Sequence, residues 1–293
     1  MGEATQDEGY FTGRDGLRLF FRISRPSGAP AAHVALVHGY AEHLGRHAEI
    51  TQALTAAGYC VHRLDVRGHG QSDGTRGFVA KFDDYLSDLD LFLARVREAA
   101  AGQPMFLLGH SHGSLIAARY LLDQPQAVRG AVLASPYFRL KLAVSPLKIW
   151  AGKLIAKVYP QLPMKNELLP SLLTRDTAIQ KATAEDPLYL KIATPGWFIQ
   201  SSEAQDTLFR RASEFVTPFL CIQGGADPIV DPAASREFTS AATSADKQFK
   251  QYDGLLHELF HEPERELVFK DVVGWLDERR GAQAGAPAVG ARA

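Results

Sequence analysis

The sequence predicts an α/β fold: a mainly parallel sheet, helices on both of its faces, and one helical insertion. Three observations carry that reading. Short apolar runs alternate with helix-periodic ones along most of the chain. Several of the runs are apolar at consecutive positions, as strands covered on both faces must be. Between Phe138 and about Arg210 the alternation stops, and short helical patterns and prolines replace it.

Each element has its own signal. Leu17–Ile23 reads as a strand after the Asp15-Gly16 turn, and His33–Val37 as a second, ending in His38-Gly39. Arg46–Ala57 reads as a helix stopped by Gly58. Tyr59–Val66 is the next strand, closed by Arg67-Gly68-His69-Gly70. The clearest helix spans Phe82–Ala100. There Phe82, Tyr85, Leu86, Leu89, Phe92, Leu93 and Val96 recur every three or four residues on one face, and Gly102 follows. Met105–Leu108 is a buried-type strand and Leu115–Leu122 belongs to the helix after it. Gly130–Ala134, Phe219–Gln223 and Lys247–Tyr252 complete the strands, and Glu264–Arg279 is the last helix. The expected division is a core over 1–138 and 211–280, a helical cap over 139–210 and a disordered Ala/Gly-rich tail over 281–293.

Composition narrows the function classes. The 293 residues are 46% hydrophobic and 22% charged, with a net charge of −1, so no basic excess draws the chain to nucleic acid. Cys60 and Cys221 both sit in apolar runs, as buried free thiols do, which fits a reducing compartment. Acidic Glu3, Asp7 and Glu8 stand where a signal peptide would be basic. No apolar run approaches the roughly 18 residues of a membrane span. The expectation is a cytoplasmic protein.

Gly109-His110-Ser111-His112-Gly113 fits G-x-S-x-G, and its setting matters more than its letters. It joins the strand Met105–Leu108 to a helix, the sharp turn that projects a nucleophilic serine from a sheet edge. A serine hydroxyl needs a base to take its proton, and the base needs an acid to fix its tautomer. In this architecture the acid and the histidine follow the serine in that order. Asp227 follows the strand Phe219–Gln223 at its C-terminal end, where ligands gather in open α/β sheets. Asp231 is its rival, but it precedes Pro232 and a helical pattern and so suits an N-cap. His257 lies on a late loop after Lys247–Tyr252, whereas His69, His110 and His261 read as structural. The reading is therefore a catalytic Ser111, Asp227 and His257. The backbone N–H groups of Tyr40 and His112 are the expected oxyanion donors.

With these pieces placed, the chain resembles the monoacylglycerol lipase and lysophospholipase group of the α/β-hydrolase superfamily over about residues 10–280. His38-Gly39-Tyr40-Ala41-Glu42-His43 with Arg46 is similar to that group's oxyanion loop. Asp65-Val66-Arg67-Gly68-His69-Gly70-Gln71-Ser72-Asp73-Gly74 resembles its D-x-R-G-H-G-x-S-x-G turn. Gly109–Gly113, Gly224-Gly225-Ala226-Asp227, and Tyr252-Asp253-Gly254 through His257-Glu258 complete the likeness, which also supports Asp227 over Asp231. The resemblance implies an α/β-hydrolase fold with an eight-stranded sheet and helical cap, no cofactor or metal, and hydrolysis of single-chain acyl esters. Three positions depart from the group. His112 replaces a methionine or glutamine, Ser114 a second glycine, and Tyr40 a smaller residue. All three border the acyl pocket and bear on the substrate.

Other readings compete. A short-chain carboxylesterase or proline-cleaving serine peptidase would use the same triad. His257-Glu258-Leu259-Phe260-His261 matches H-E-x-x-H, which on a helix binds zinc with the glutamate as base. A binding protein on the same fold would have lost a triad member. Finally, Leu140, Val144, Leu147, Trp150, Leu154 and Val158 form an apolar stripe interleaved with Lys141, Lys148, Lys153 and Lys157. Such a stripe either packs on the core or touches a lipid surface as a peripheral contact.

Overall fold

The computed structural model describes residues 6–142, 145, 152 and 154–281. Val144, Leu147, Lys148, Trp150 and Lys153 of the apolar stripe lie outside the described residues, as does the expected tail beyond 281.

The strands, in chain order, are β1 (Gln6–Thr12), β2 (Arg18–Ser24), β3 (Ala32–Val37), β4 (Tyr59–Leu64), β5 (Met105–His110), β6 (Gly130–Ala134), β7 (Met164–Lys165), β8 (Ile192–Ala193), β9 (Phe219–Gly224) and β10 (Lys247–Tyr252). Eight of them form one sheet in the order β1-β2-β4-β3-β5-β6-β9-β10. β1 and β2 pair antiparallel at one edge, and every pair from β4 to β10 is parallel. The central strands β3 to β6 and β9 are buried at every position, which is why their sequences run apolar without alternation. β1 escapes the sequence reading because it is an exposed edge strand that buries only Phe11. Its register comes from pairing with β2 and not from an apolar pattern.

Helices cover both faces. α1 (Ala48–Ala56) and α8 (Arg265–Arg280) pack on one, through Ile50, Leu54, Val268, Val272 and Leu276. α2 (Phe82–Ala100), α3 (His112–Asp123) and α7 (Pro232–Ala241) pack on the other. α2 buries Phe82, Tyr85, Leu89, Phe92, Leu93 and Val96, the stripe its spacing predicts, with Leu86 at the margin. Each such side chain stabilises the fold by roughly 2 kcal/mol on burial. The helix ends where Ala101 turns left-handed, φ 48°, and Gly102 follows at φ +90°. The helix expected over 46–57 opens instead with a 3₁₀ turn, Leu44–His47, because the His43 ring accepts the Gly45 N–H and caps the chain early.

Between β6 and β9 the described residues add no strand to the large sheet. They supply α4 (Pro170–Leu173), α5 (Thr177–Glu185), α6 (Pro195–Arg210) and the small antiparallel pair β7–β8. α6 is tied to the sheet side by the Phe82 N–H, which donates to Gln200 Oε1 at 2.9 Å.

Candidate active site

Ser111 stands between β5 and α3 with φ 51°, a left-handed conformation that a non-glycine residue adopts only when its surroundings enforce it. The glycines on either side make that turn possible. A Cβ on Gly113 would lie 2.1 Å from the Val37 carbonyl oxygen, and one on Gly109 would lie 2.6 Å from the Gly113 oxygen. Ser114, unusual at its position, earns a place by hydrogen bonding. Its hydroxyl donates to the Gly109 oxygen at 2.7 Å and braces the turn.

The loop after β10 brings His257 to the serine. Ser111 Oγ lies 2.9 Å from His257 Nε2, and His257 Nδ1 lies 2.8 Å from Asp227 Oδ2. Asp227 also accepts the Ile229 and Val230 N–H groups on Oδ1, at 2.8 and 3.0 Å, and the Gln223 amide on Oδ2 at 3.0 Å. Burial alone would raise the Asp227 carboxyl, but His257 and these N–H donors hold it below the ordinary carboxylate value. Burial likewise disfavours a charged His257, yet the Asp227 carboxylate outweighs it and lifts the imidazole above its usual value. The arrangement keeps an ionised acid behind a histidine that can take the serine proton.

The rivals have other work. Asp231 caps α7, accepting the Ala233 N–H at 3.0 Å. The H-E-x-x-H reading required a helix through His257, but only Leu259–His261 forms a single 3₁₀ turn. His261 Nδ1 donates to Glu258, and its Nε2 lies 2.7 Å from the Arg46 oxygen, so neither nitrogen faces a site shared with His257. His69 is structural as expected, its Nδ1 donating to the Arg67 oxygen at 3.0 Å.

Tyr40 and His112 meet beside the serine. His112 heads α3, so its N–H belongs to the first turn, which has no acceptor within the helix. Its ring is buried and neutral, held well below the usual histidine value by burial. Its Nε2 accepts from Trp197 Nε1 and Ser201 Oγ, both at 3.2 Å. The Tyr40 ring stacks on Trp197 with centroids 3.7 Å apart, and its hydroxyl donates to the Gly77 oxygen at 3.0 Å. These contacts explain two of the unusual residues: together they build one aromatic wall. A cavity of about 180 Å³ opens over Ser111 and His257 against this wall, with Tyr137, Leu140 and Ile229 among its lining.

Sequence reasoning gave Glu42 no role of its own. The carboxylate is fully buried beneath the site, accepting the Gly39 N–H and, at 2.6 Å, the Nδ1–H of His110. Burial opposes its charge, but the rings of His47 and His110 keep it well below the carboxylate range. Gln223 was likewise missed. The only trace of either was a polar residue in or beside a motif.

The D-x-R-G-H-G turn proves to be scaffold. Asp65 accepts the Leu44 and Gln71 N–H groups at 2.7 and 2.8 Å, and a Cβ on Gly70 would strike its carboxylate. Arg67 pairs with buried Asp88.

A family model described as serine aminopeptidase, S33, matches residues 28–264. The chain belongs to this family. It is a serine hydrolase of the α/β type. It is 31% identical over 277 residues to a monoacylglycerol lipase of Mycolicibacterium smegmatis, covering 94% of this chain and 99% of that protein. It is 33% identical to the human monoglyceride lipase, covering 94% of this chain and 91% of that protein. Among solved structures, a monoacylglycerol lipase of Paleococcus ferrophilus superposes with a TM-score of 0.78 at 27% identity, covering 95% of this chain and all of that one.

Proposed function

We propose that the protein hydrolyses carboxylic esters of single-chain acyl lipids, in the manner of a monoacylglycerol lipase or lysophospholipase, through an acyl-enzyme on Ser111. The observation that carries this is the Ser111–His257–Asp227 chain of hydrogen bonds opening into a cavity walled by Tyr40, Trp197 and aliphatic side chains.

Each group has a task. His257 Nε2 takes the Ser111 proton as Oγ attacks the ester carbon. The N–H groups of Tyr40 and His112 hold the oxyanion, aided by the positive end of α3. The histidine then gives its proton to the departing alcohol. In the second half a water, deprotonated by the same nitrogen, attacks the acyl carbon, and Ser111 Oγ leaves with that proton as the fatty acid is released. Asp227 stays ionised throughout and holds His257 in one tautomer.

An aminopeptidase would need a carboxylate to receive a free α-amino group. Glu42 and Glu258 reach the cavity, but Glu42 is held by Gly39 and His110, and Glu258 by Arg46 and His261. That favours an ester substrate. Residues 139–210 serve as a cap over the cavity, and its exposed Leu154, Val158 and Tyr159 form a peripheral contact with the lipid surface that supplies substrate. No helix among the described residues is long and apolar enough to cross a membrane.

A panel of monoacylglycerols, lysophospholipids, short p-nitrophenyl esters and proline-terminated peptides tests the reading. One of the two single-chain lipids should give the highest kcat/KM. Preference for the peptides, or for the shortest esters, would reverse it.

A further inference from the structure

At the other end of the sheet lies a cluster that ester hydrolysis does not use. His33 on β3 pairs in register with Cys60 on β4, and His62, two residues along β4, shares the face of Cys60. Ligand atoms of the three side chains lie within 4.8 Å of one another, and all three residues are buried. His33 Nδ1 is 2.9 Å from His62 Nε2, and Cys60 Sγ is 3.4 Å from the same nitrogen. His33 and Cys60 are the second residues of their strands, so the cluster sits at the N-terminal edge of the sheet. Ser111 and His257 follow the C-terminal ends of β5 and β10.

We infer that His33, Cys60 and His62 form a binding site for a single zinc ion, separate from the catalytic serine. Two imidazoles and a thiolate are a zinc donor set, and zinc–nitrogen and zinc–sulfur bonds of roughly 2.0 and 2.3 Å place tetrahedral ligands about 3.3–3.6 Å apart. The spacing of Cys60 Sγ from His62 Nε2 meets this, and the two nitrogens need open by only a few tenths of an ångström. Adjacent strands hold the ligands on a rigid base.

The surroundings fit as well. His33 Nε2 donates to Gln103 Oε1 at 2.9 Å, which fixes its tautomer and turns Nδ1 inward as a ligand. Arg25 Nη1 lies 4.0 Å from Cys60 Sγ, where its charge favours the thiolate. Gln103, which also donates to the Pro30 oxygen, is exposed, and Arg25, paired with Asp7, is half-buried.

The proton balance is simple. On binding, Cys60 releases its thiol proton to solvent, and the His62 proton moves from Nε2 to Nδ1. One proton leaves per zinc.

Zinc titration calorimetry on the full chain, with cobalt as the spectroscopic probe, tests the site. Wild type and Ser111→Ala should each bind one zinc, raise their melting temperatures with it, and show a thiolate-to-cobalt absorption band. Cys60→Ser should lose the band and at least 100-fold in affinity. Gln103→Ala, an exposed change that spares the fold, should weaken binding roughly tenfold. The assignment is overturned if wild type takes up no zinc, or if Cys60→Ser binds it as tightly without the band, which would place the ion on other histidines. Because Ser111→Ala keeps the site, failure of the ester-hydrolase reading leaves this result untouched.

Discussion

Glu42 Oε1 lies 2.6 Å from His110 Nδ1, the ring that immediately precedes the nucleophile, and the same oxygen accepts the Gly39 N–H that precedes Tyr40. One buried carboxylate thus ties the loop carrying one expected oxyanion donor to the turn carrying the serine. Glu42→Gln retains the size but gives up the charge, and it cannot hold both donors on one amide oxygen as firmly. Turnover should fall about 10- to 100-fold with little change in KM, since losing a single oxyanion donor outright costs roughly 100- to 1000-fold. Kinetics on a soluble ester decide it. A rise in KM alone would mean that Glu42 serves binding and not the oxyanion loop.

Ser111→Ala should lower ester turnover by several orders of magnitude, because triad members act as a unit. The fold should survive, since the change removes one hydroxyl from a turn held by Gly109, Gly113 and Ser114. Labelling by a serine-reactive fluorophosphonate reports the same residue independently. Activity or labelling that persists in this variant would remove Ser111 from the mechanism.

Asp227→Asn should cost roughly 10⁴-fold by presenting the wrong histidine tautomer. The pH profile adds a second readout. His257 must be unprotonated to act as base, so kcat/KM falls as pH drops through its pKa, which Asp227 holds above the ordinary value. Removing that charge moves the acidic limb to lower pH even as the rate falls. Asp231→Asn should change neither turnover nor stability much, because an asparagine oxygen caps α7 about as well. His261→Ala should leave turnover largely intact and lower stability by about 1–3 kcal/mol, because it strips buried Glu258 and the Arg46 carbonyl of a partner. Chelators should not change the rate, since zinc at His33, Cys60 and His62 sits at the far edge of the sheet. A limb that stays in place for Asp227→Asn would argue against the Asp227–His257 coupling.

How much of this was readable from the sequence depends on the kind of signal each residue leaves. The central strands and α2 announce themselves because burial on both faces, or on one helical stripe, writes a period into the residues. Ser111, Asp227 and His257 sit at strand ends in a fixed chain order, so motif and topology together point to them before any coordinates. β1 left no pattern because a solvent-facing edge needs none. Glu42, Gln223 and the His33–Cys60–His62 cluster were invisible for a different reason. Glu42 and the cluster depend on contacts between strands or loops distant in sequence, such as the 68 residues separating Glu42 from His110, and Gln223 on a turn that brings Asp227, four residues on, back to its amide. A lone buried polar residue carries no period, and only the folded sheet brings its partner within reach.

The cap makes a prediction about where the substrate comes from. Leu154 is 44% exposed and Val158 88% exposed, four residues apart on one side of a helical stretch over 154–158. Lys157 lies between them in sequence. Val158 at that exposure contributes almost nothing to the fold and Leu154 only part of its burial, so replacing them should lower the melting temperature little. At a lipid surface the same two side chains can enter the acyl boundary while the lysine meets anionic head groups. Leu154→Ser with Val158→Ser should therefore weaken binding to phosphatidylserine-containing vesicles and slow hydrolysis of a long-chain monoacylglycerol presented in them. Turnover of a soluble short-chain ester should stay within twofold of wild type, because neither residue touches Ser111, His257 or Asp227. Vesicle flotation and the two kinetic assays separate the alternatives. Equal loss on both substrates would make the stripe part of cap packing, and a wild type that fails to bind vesicles would end the interfacial reading.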